Sequence, residues 1–195
     1  MHSSSSNSNG NGSTLTNIVI GNKSMKVLLD EATLEERIAE INTQITRDYA
    51  GKELVLVVVL KGSIMFAADL CRHIQLPLSM EFMGLSSYGD STESSGVVRV
   101  TLDLSKPVVG KEVLIIEDIV DTGLTMRYLL ENMSTRKPSN VRVCTLLHKP
   151  SRSKVDVILD YVGFTIDDHF VVGYGLDYEQ KYRNLSFIGY MTDEA

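Results

Sequence analysis

Apolar residues along this chain follow two patterns that alternate from one segment to the next. Residues Leu54–Leu60 and 113–116 are continuous apolar runs, too short for buried helices and typical of strands covered on both faces of a parallel sheet. Apolar residues at helical spacing precede the first run, at Leu34, Ile38, Ile41 and Ile45. Strands and helices that alternate in this way predict an α/β fold.

Weaker patterns complete this prediction. We expect further strands at residues 78–83, 98–102, 141–147, 155–162 and 170–172, and further helices at residues 63–74 and 125–133. Thr33 and Glu36 form a capping box that predicts the start of the first helix, and Gly51 is a natural stop. Residues 86–96 are rich in Ser, Gly and Thr, which favours a mobile functional loop.

Length and composition predict one globular domain. The chain has 195 residues, of which 43% are hydrophobic and 23% are charged, so a fibrous or fully disordered chain is excluded. Residues 1–17 are almost entirely polar, and we expect a disordered tail or an added leader there. A single domain is expected over residues 18–195.

Charge, hydropathy and cysteine content narrow the possible partners. The net charge of −6 argues against nucleic-acid binding, and no apolar run reaches 18 residues, so we expect no membrane span. Cys71 and Cys144 form no CxxC motif, which supports neither a disulfide framework nor a zinc site. These features predict a protein of a reducing compartment, the cytoplasm.

Three carboxylates crowd the end of the second apolar run, at Glu117, Asp118 and Asp121. Such crowding is unfavourable unless a polar or cationic group lies between the acids. The short turn at residues 121–125 contains Gly123 and opens into a predicted helix, where backbone N–H groups and the helix dipole favour a phosphate. An ordinary strand-to-helix turn with solvated acids is the alternative.

Residues 113–125, VLIIEDIVDTGLT, resemble the phosphoribosyl-pyrophosphate (PRPP) signature of the type I phosphoribosyltransferases. Further motifs occur in the order found in hypoxanthine(-guanine) phosphoribosyltransferases: LKGS at 60–63, SSYG at 86–89, LLHKPSR at 146–152, VGFTIDDHFVVGYGLDY at 162–178 and YR at 182–183. The SSYG and KPSR versions are similar to the bacterial-type branch. The resemblance covers about residues 27–190, nearly the whole expected domain.

This resemblance implies a fold and a reaction. The fold is that of the type I phosphoribosyltransferases, a mainly parallel central sheet flanked by helices, with a small hood formed largely by the C-terminal segment. The reaction is the Mg²⁺-dependent transfer of phosphoribose from PRPP to N9 of a 6-oxopurine, hypoxanthine or guanine, with release of pyrophosphate. Members of the family are usually homodimers or homotetramers.

The resemblance also implies roles for the acidic strand end and the turn. Glu117 and Asp118 hold the ribose 2′ and 3′ hydroxyls, and together with Asp177 they are the expected metal ligands. The 5′-phosphate is cradled by Asp121, Thr122, Gly123, Leu124 and Thr125. Asp121 also lies near purine N7 and acts as the general acid/base.

Other site residues are carried over from the remaining motifs. Lys61 and Gly62 match a backbone segment that binds pyrophosphate, and Arg183 matches a pyrophosphate contact. The purine is expected to contact Lys149 at its 6-oxo group, the ring of Phe170, the backbone of Val171, and Asp177, which also meets the magnesium–pyrophosphate group. Ser87 and Tyr88 belong to the expected lid, whose closure excludes water.

Several alternatives stay open at this stage. Taken alone, Lys149 could be a solvated lysine, Phe170 a core residue, and Asp177 with Arg183 a surface pair. The base preference could shift, for example to xanthine, and the ratio of hypoxanthine to guanine use is not legible. A non-catalytic PRPP-binding regulator of RNA is a rival, although it predicts a basic surface rather than an acidic chain.

Overall fold

The computed structural model describes residues 17–20, 23–87 and 98–192. Residues 1–16 of the expected tail, and Tyr88 with most of the expected lid, lie outside the described residues. Asn17, the last residue assigned to the tail, already belongs to a strand. Within the described part of the chain, no helix combines the length and the apolar character needed to cross a bilayer.

The described residues form strands and helices that alternate over most of the chain. In chain order these are β1 (Asn17–Ile20), β2 (Lys23–Leu29), α1 (Glu31–Asp48), β3 (Leu54–Leu60), α2 (Ile64–His73), β4 (Leu78–Ser87), β5 (Val98–Leu102), β6 (Glu112–Val120), α3 (Leu124–Thr135), β7 (Asn140–His148), β8 (Tyr161–Thr165), β9 (Val171–Val172) and β10 (Ile188–Met191). A short 3-10 helix, Pro150–Arg152, follows β7.

The central sheet has six strands in the order β5-β4-β3-β6-β7-β8. Its strands are parallel except for β5, which pairs antiparallel with β4. This arrangement confirms the predicted α/β class with a mainly parallel sheet. It also places β3 and β6 in the interior, which is why they contain the two continuous apolar runs.

Side chains of β3 alternate between two cores, one on each face of the sheet. Leu54, Leu56 and Val58 join α1 and α2 in one core, whereas the intervening valines of β3 join α3 in the other. The two faces are therefore both covered by helices. Truncation of any of these fully buried side chains to alanine removes packing worth about 2–5 kcal/mol.

The first helix begins earlier than predicted. Asp30 is its N-cap, and the Asp30 carboxylate accepts a hydrogen bond from the backbone N–H of Thr33 at 2.9 Å. The predicted capping box of Thr33 and Glu36 is therefore wrong, because an aspartate three residues before Thr33 already satisfies that donor. The helix ends at Asp48, shortly before Gly51, which has a positive φ of 75°.

A second sheet, which we call the hood sheet, has the strand order β1-β2-β10-β9 and is antiparallel. The expectation that the hood comes largely from the C-terminal segment is wrong, since β1 and β2 supply half of its strands. These strands gave little apolar signal because Met25 is their only fully buried residue. β2 also pairs with β10, which lies near the other end of the described chain.

Two further strand predictions change at their boundaries. The strand expected at residues 155–162 is found at Tyr161–Thr165, and the preceding stretch exposes 80% of Ile158. The strand predicted at residues 113–116 is longer in the structure, where β6 spans Glu112–Val120 and includes Glu117 and Asp118 near its end.

The two thiols are predicted to differ in reactivity. Cys144 in β7 is fully buried, and burial raises the pKa of its thiol far above the usual value, whereas Cys71 on α2 is partly exposed. We expect a thiol-specific aromatic disulfide at about pH 8 to modify Cys71 in the native protein and Cys144 only after unfolding. Cys71→Ser should remove the native reaction, and Cys144→Ser should keep it. Rapid native modification of Cys144 would contradict this packing.

Candidate active site

The carboxyl end of β6 carries two neighbouring acids in an environment that disfavours their charge. Only 8% of Glu117 is exposed, and its Oε2 has no hydrogen-bond partner among the described residues. Burial first, and the Asp118 carboxylate second, raise the pKa of Glu117 well above its usual value. Burial also raises the pKa of Asp118. The pair therefore favours a cation or a set of hydroxyl donors as its partner.

Two glycines let three segments close around this acidic pair. A Cβ atom on Gly62 would lie 1.5 Å from Asp118 Oδ2, and a Cβ atom on Gly175 would lie 1.9 Å from the carbonyl oxygen of Gly62. Gly175 also has a φ of 101°, which other residues rarely adopt. The turn after β3, which begins with a cis Leu60–Lys61 peptide bond, thus contacts both β6 and the segment after β9.

The turn after β6 presents a helix N-terminus to the acidic end of the strand. Gly123 is the N-cap of α3 with a φ of 79°, and no side chain caps the helix there. The first N–H groups of a helix have no intrahelical acceptor, so they can bind an anion. Residues 117–123, with Thr125 and Met126, line a cleft at this point. The predicted phosphate cradle is brought together here, except that Leu124 lies outside the cleft lining.

A second cleft adjoins the first and shares Glu117, Asp118 and Thr125 with it. The predicted pyrophosphate contacts also line this cleft, namely Lys61, Gly62, Asp177 and Arg183. Arg183 Nη2 lies 2.6 Å from Asp177 Oδ1, and Arg183 Nη1 donates to the carbonyl oxygen of Gly175 at 2.7 Å. The second cleft therefore holds cationic and anionic groups in direct contact.

The end of β7 carries a buried lysine. Only 6% of Lys149 is exposed, so it is not a solvated surface residue. Lys149 Nζ donates to the carbonyl oxygen of His169 at 2.6 Å and lies 3.6 Å from Asp168 Oδ1. An ammonium has three N–H groups. Only the contact with His169 is a hydrogen bond, so the other two N–H groups can serve the ion pair with Asp168 and a ligand.

The aromatic residue expected to stack on the purine is open to solvent. Phe170 is 63% exposed, which rules out the alternative that it is a core residue. Its ring forms a T-shaped contact with the ring of Tyr178 at a centroid distance of 6.0 Å. Val171, the next residue, is buried in β9.

Some predicted residues lie at the margin of this arrangement. Ser87 is the last residue of β4, and Tyr88 lies outside the described residues. Leu85 and Val98, from the strands on either side of the expected lid, line the second cleft. Within the described ranges, no three His, Cys, Asp or Glu residues form a ready-made metal cluster.

Two charged residues near the site were given no role from the sequence. Arg152 Nε lies 3.0 Å from Asp121 Oδ1, and Arg152 Nη1 lies 3.3 Å from Asp168 Oδ2. The available signal was the position of Arg152 in the KPSR motif. Pro150 begins a 3-10 turn there, and that turn folds Arg152 back toward the end of β6.

A helix N-terminus beside acids at the end of a central parallel strand defines an α/β protein that binds a sugar phosphate or nucleotide. The family model described as Phosphoribosyl transferase domain matches residues 24–179. Hypoxanthine-guanine phosphoribosyltransferase of Mycobacterium avium is 52% identical over 169 residues, covering 84% of this chain and 83% of the relative. Hypoxanthine phosphoribosyltransferase of Escherichia coli (strain K12) is 47% identical, covering 85% of this chain and 94% of the relative.

Solved structures agree with these relatives. A hypoxanthine phosphoribosyltransferase from Staphylococcus aureus has a TM-score of 0.82 at 48% identity, covering 85% of this chain and 90% of that chain. The chain therefore belongs to the phosphoribosyltransferase family, in the branch of the hypoxanthine(-guanine) phosphoribosyltransferases. This membership confirms the resemblance seen in the motifs.

Glu117→Gln is predicted to stabilise the ligand-free protein. Because burial raises the pKa of Glu117, its ionisation opposes folding, and this penalty grows as pH rises from the unfolded pKa toward the folded one. We expect the free energy of unfolding near pH 7.5 to rise by roughly 1 kcal/mol or more, and the gain to shrink toward about pH 4. Urea unfolding at both pH values measures this. The exposed Glu131→Gln is the control, and an equal gain there would contradict the cause.

Proposed function

We propose that this enzyme transfers phosphoribose from PRPP to N9 of hypoxanthine or guanine, giving IMP or GMP and pyrophosphate, as part of purine salvage. The observation that carries the proposal is the pair of adjoining clefts. They share the buried acids, and one offers a helix N-terminus while the other offers Lys61, Gly62, Asp177 and Arg183. The names of the relatives support the same reaction.

The proposed chemistry breaks one bond at C1′ and forms another there. As the bond from C1′ to pyrophosphate breaks, positive charge develops on the ribose and negative charge on the leaving group. Glu117 and Asp118 would hold the ribose hydroxyls and stabilise the first charge, whereas Arg183 and the backbone at Lys61 would stabilise the second. Both substrates bound side by side lower the entropic barrier to the transfer.

The purine is activated by removal of a proton. N9 attacks C1′ with its lone pair, and the proton at N7 passes to the Asp121 carboxylate. Lys149 would use an N–H group of its ammonium to bind the 6-oxo group, and Phe170 would stack on the ring, with the Val171 backbone at the base edge. Adenine carries an amino group at this position, so Lys149 discriminates against it.

Enzymes of this family use Mg²⁺ with PRPP, and the residues of this site fit that ion. Mg²⁺ takes oxygen ligands and usually binds through one or two carboxylates together with substrate phosphates. Glu117, Asp118 and Asp177 line the second cleft, and Glu117 Oε2 is buried without a hydrogen-bond partner among the described residues. When bound, the ion would neutralise charge on the pyrophosphate. Three expectations stay predictions: closure of a lid that contains Ser87 and Tyr88, assembly as a homodimer or homotetramer, and a cytoplasmic location.

A direct assay tests this function. Purified protein is mixed with PRPP and magnesium, and hypoxanthine, guanine, xanthine and adenine are offered separately while nucleotide formation is followed by absorbance. We expect turnover of the 6-oxopurines and none of adenine. Asp121→Asn should lower kcat roughly 100-fold because it removes the proton acceptor. If none of the four bases is converted by protein that still binds PRPP in calorimetry, the result would favour the non-catalytic regulator.

Lys149→Met is predicted to weaken purine binding selectively. The change keeps the buried stem but removes the ammonium that is expected to bind the 6-oxo group. We expect KM for hypoxanthine to rise about tenfold or more, and KM for PRPP to change by less than about twofold. Lys111→Met is the control. Lys111 Nζ lies 2.9 Å from Glu53 Oε1, and neither residue lines either cleft. Equal losses for both substrates would contradict the assignment.

A further inference from the structure

Backbone hydrogen bonds join the segment after β7 to the end of β6 and to the turn at residues 121–125, which we call the phosphate turn. The N–H of Lys149 donates to the carbonyl oxygen of Val120 at 2.9 Å, and the N–H of Lys154 donates to the carbonyl oxygen of Thr122 at 3.0 Å. The 3-10 helix Pro150–Arg152 lies between these two bonds. The segment is therefore held at both of its ends, and its side chains have fixed starting points.

A close approach on the other side of the turn adds to this hold. A Cβ atom on Gly123 would lie 2.7 Å from the carbonyl oxygen of Val155. Gly123 thus lets the segment pack directly on the turn that is expected to cradle the 5′-phosphate. Arg152 is carried by this segment, so its position beside the turn follows from backbone contacts rather than from its own ion pairs.

Arg152 belongs to a row of four alternating charges, which we call the charge row: Asp121, Arg152, Asp168 and Lys149. Arg152 Nε lies 3.0 Å from Asp121 Oδ1, and Arg152 Nη1 lies 3.3 Å from Asp168 Oδ2. Asp168 Oδ1 in turn lies 3.6 Å from Lys149 Nζ. The row connects the phosphate turn to the buried lysine at the end of β7.

Stability does not explain the two ion pairs of Arg152 in the charge row. The side chains of Arg152, Asp121 and Asp168 are between 37% and 47% exposed, and ion pairs at such exposure contribute little to folding. The row does place a cation beside the third carboxylate of a strand end that already holds Glu117 and Asp118. It also spans the distance between two groups that are proposed to contact the purine at different atoms.

We propose that Arg152 is a positioning residue for the transfer reaction. The charge of its guanidinium, with Nε 3.0 Å from Asp121 Oδ1, holds the carboxylate of Asp121 in the orientation that accepts the N7 proton, since that oxygen has no hydrogen-bond partner among the described residues. Through Asp168 it also fixes the ammonium of Lys149, so that both groups meet the purine at a set spacing. This role rests on the proposed function, and it adds a residue that touches neither reacting atom.

Two substitutions at Arg152 separate its charge from its packing. Arg152→Met keeps the aliphatic stem, and Arg152→Lys keeps the positive charge. We expect Arg152→Met to lower kcat about tenfold with KM for PRPP changed by less than about threefold, because orientation of Asp121 matters most in the transition state. Arg152→Lys should recover most of kcat. Arg136→Met is the control. Arg136 is the C-cap of α3, at the end of the helix away from the phosphate turn, and its Nη2 lies 2.7 Å from Asp103 Oδ1.

A double-mutant cycle tests whether Arg152 acts through Asp121. In the Asp121→Asn background, Arg152→Met should lower kcat by less than about threefold, because the group that it orients is already gone. A full tenfold loss in that background, or unchanged kcat in the Arg152→Met single variant, would overturn the role. A change in melting temperature that tracks the loss of kcat and is not rescued by lysine would also overturn it, in favour of a purely structural contact.

The wild-type enzyme distinguishes failure of this role from failure of the proposed function. If it turns over hypoxanthine or guanine while Arg152→Met matches it, only the positioning role fails. If it turns over no 6-oxopurine, the proposed function fails and the positioning role is overturned with it. Turnover by the wild-type enzyme with the expected cycle supports both.

Discussion

The buried acids at the end of β6 are the constraint on which the site depends. Parallel packing of β6 between β3 and β7 withdraws Glu117 from water, and burial raises the pKa of both acids. The segments around this pair keep water away from it, and a bound ligand is expected to supply the partners of the two carboxylates. The missing side chains of Gly62 and Gly175 allow that enclosure, since any Cβ atom there would collide with its neighbour.

Charge is arranged in this site according to where the reaction needs it. Carboxylates lie where the ribose is expected to become positive, and Arg183 and the helix N-terminus lie where the phosphates of PRPP are expected to bind. Asp177 and Arg183 pair with each other, and Arg152 pairs with Asp121, so opposite charges stay balanced without a ligand. PRPP can then exchange the pair of Asp177 and Arg183 for its own pyrophosphate, while Arg152 stays beside Asp121.

Local patterns predicted much of this fold, and long-range contacts account for what they missed. The apolar run of β3 is found with the bounds expected, because its two buried faces show in the sequence itself. The hood strands β1 and β2 escaped prediction, since β2 is held by the distant strand β10 and β1 pairs only with β2. Within the site, the family motifs identified the acids and the turn. The contact of Arg152 with Asp121 depends on how a 3-10 turn folds back, which residue spacing does not reveal.

The hood sheet has a consequence for how the enzyme is made. In that sheet β2 pairs with β10, so a strand near the start of the described chain cannot complete its pairing until a strand near the end has been made. During synthesis the central sheet can assemble on the ribosome, since its parallel strands follow one another along the chain. The hood sheet closes only after β10 has left the exit tunnel. Until then the nascent chain holds the phosphate turn without the finished hood sheet, and pairing of β10 with β2 completes that sheet.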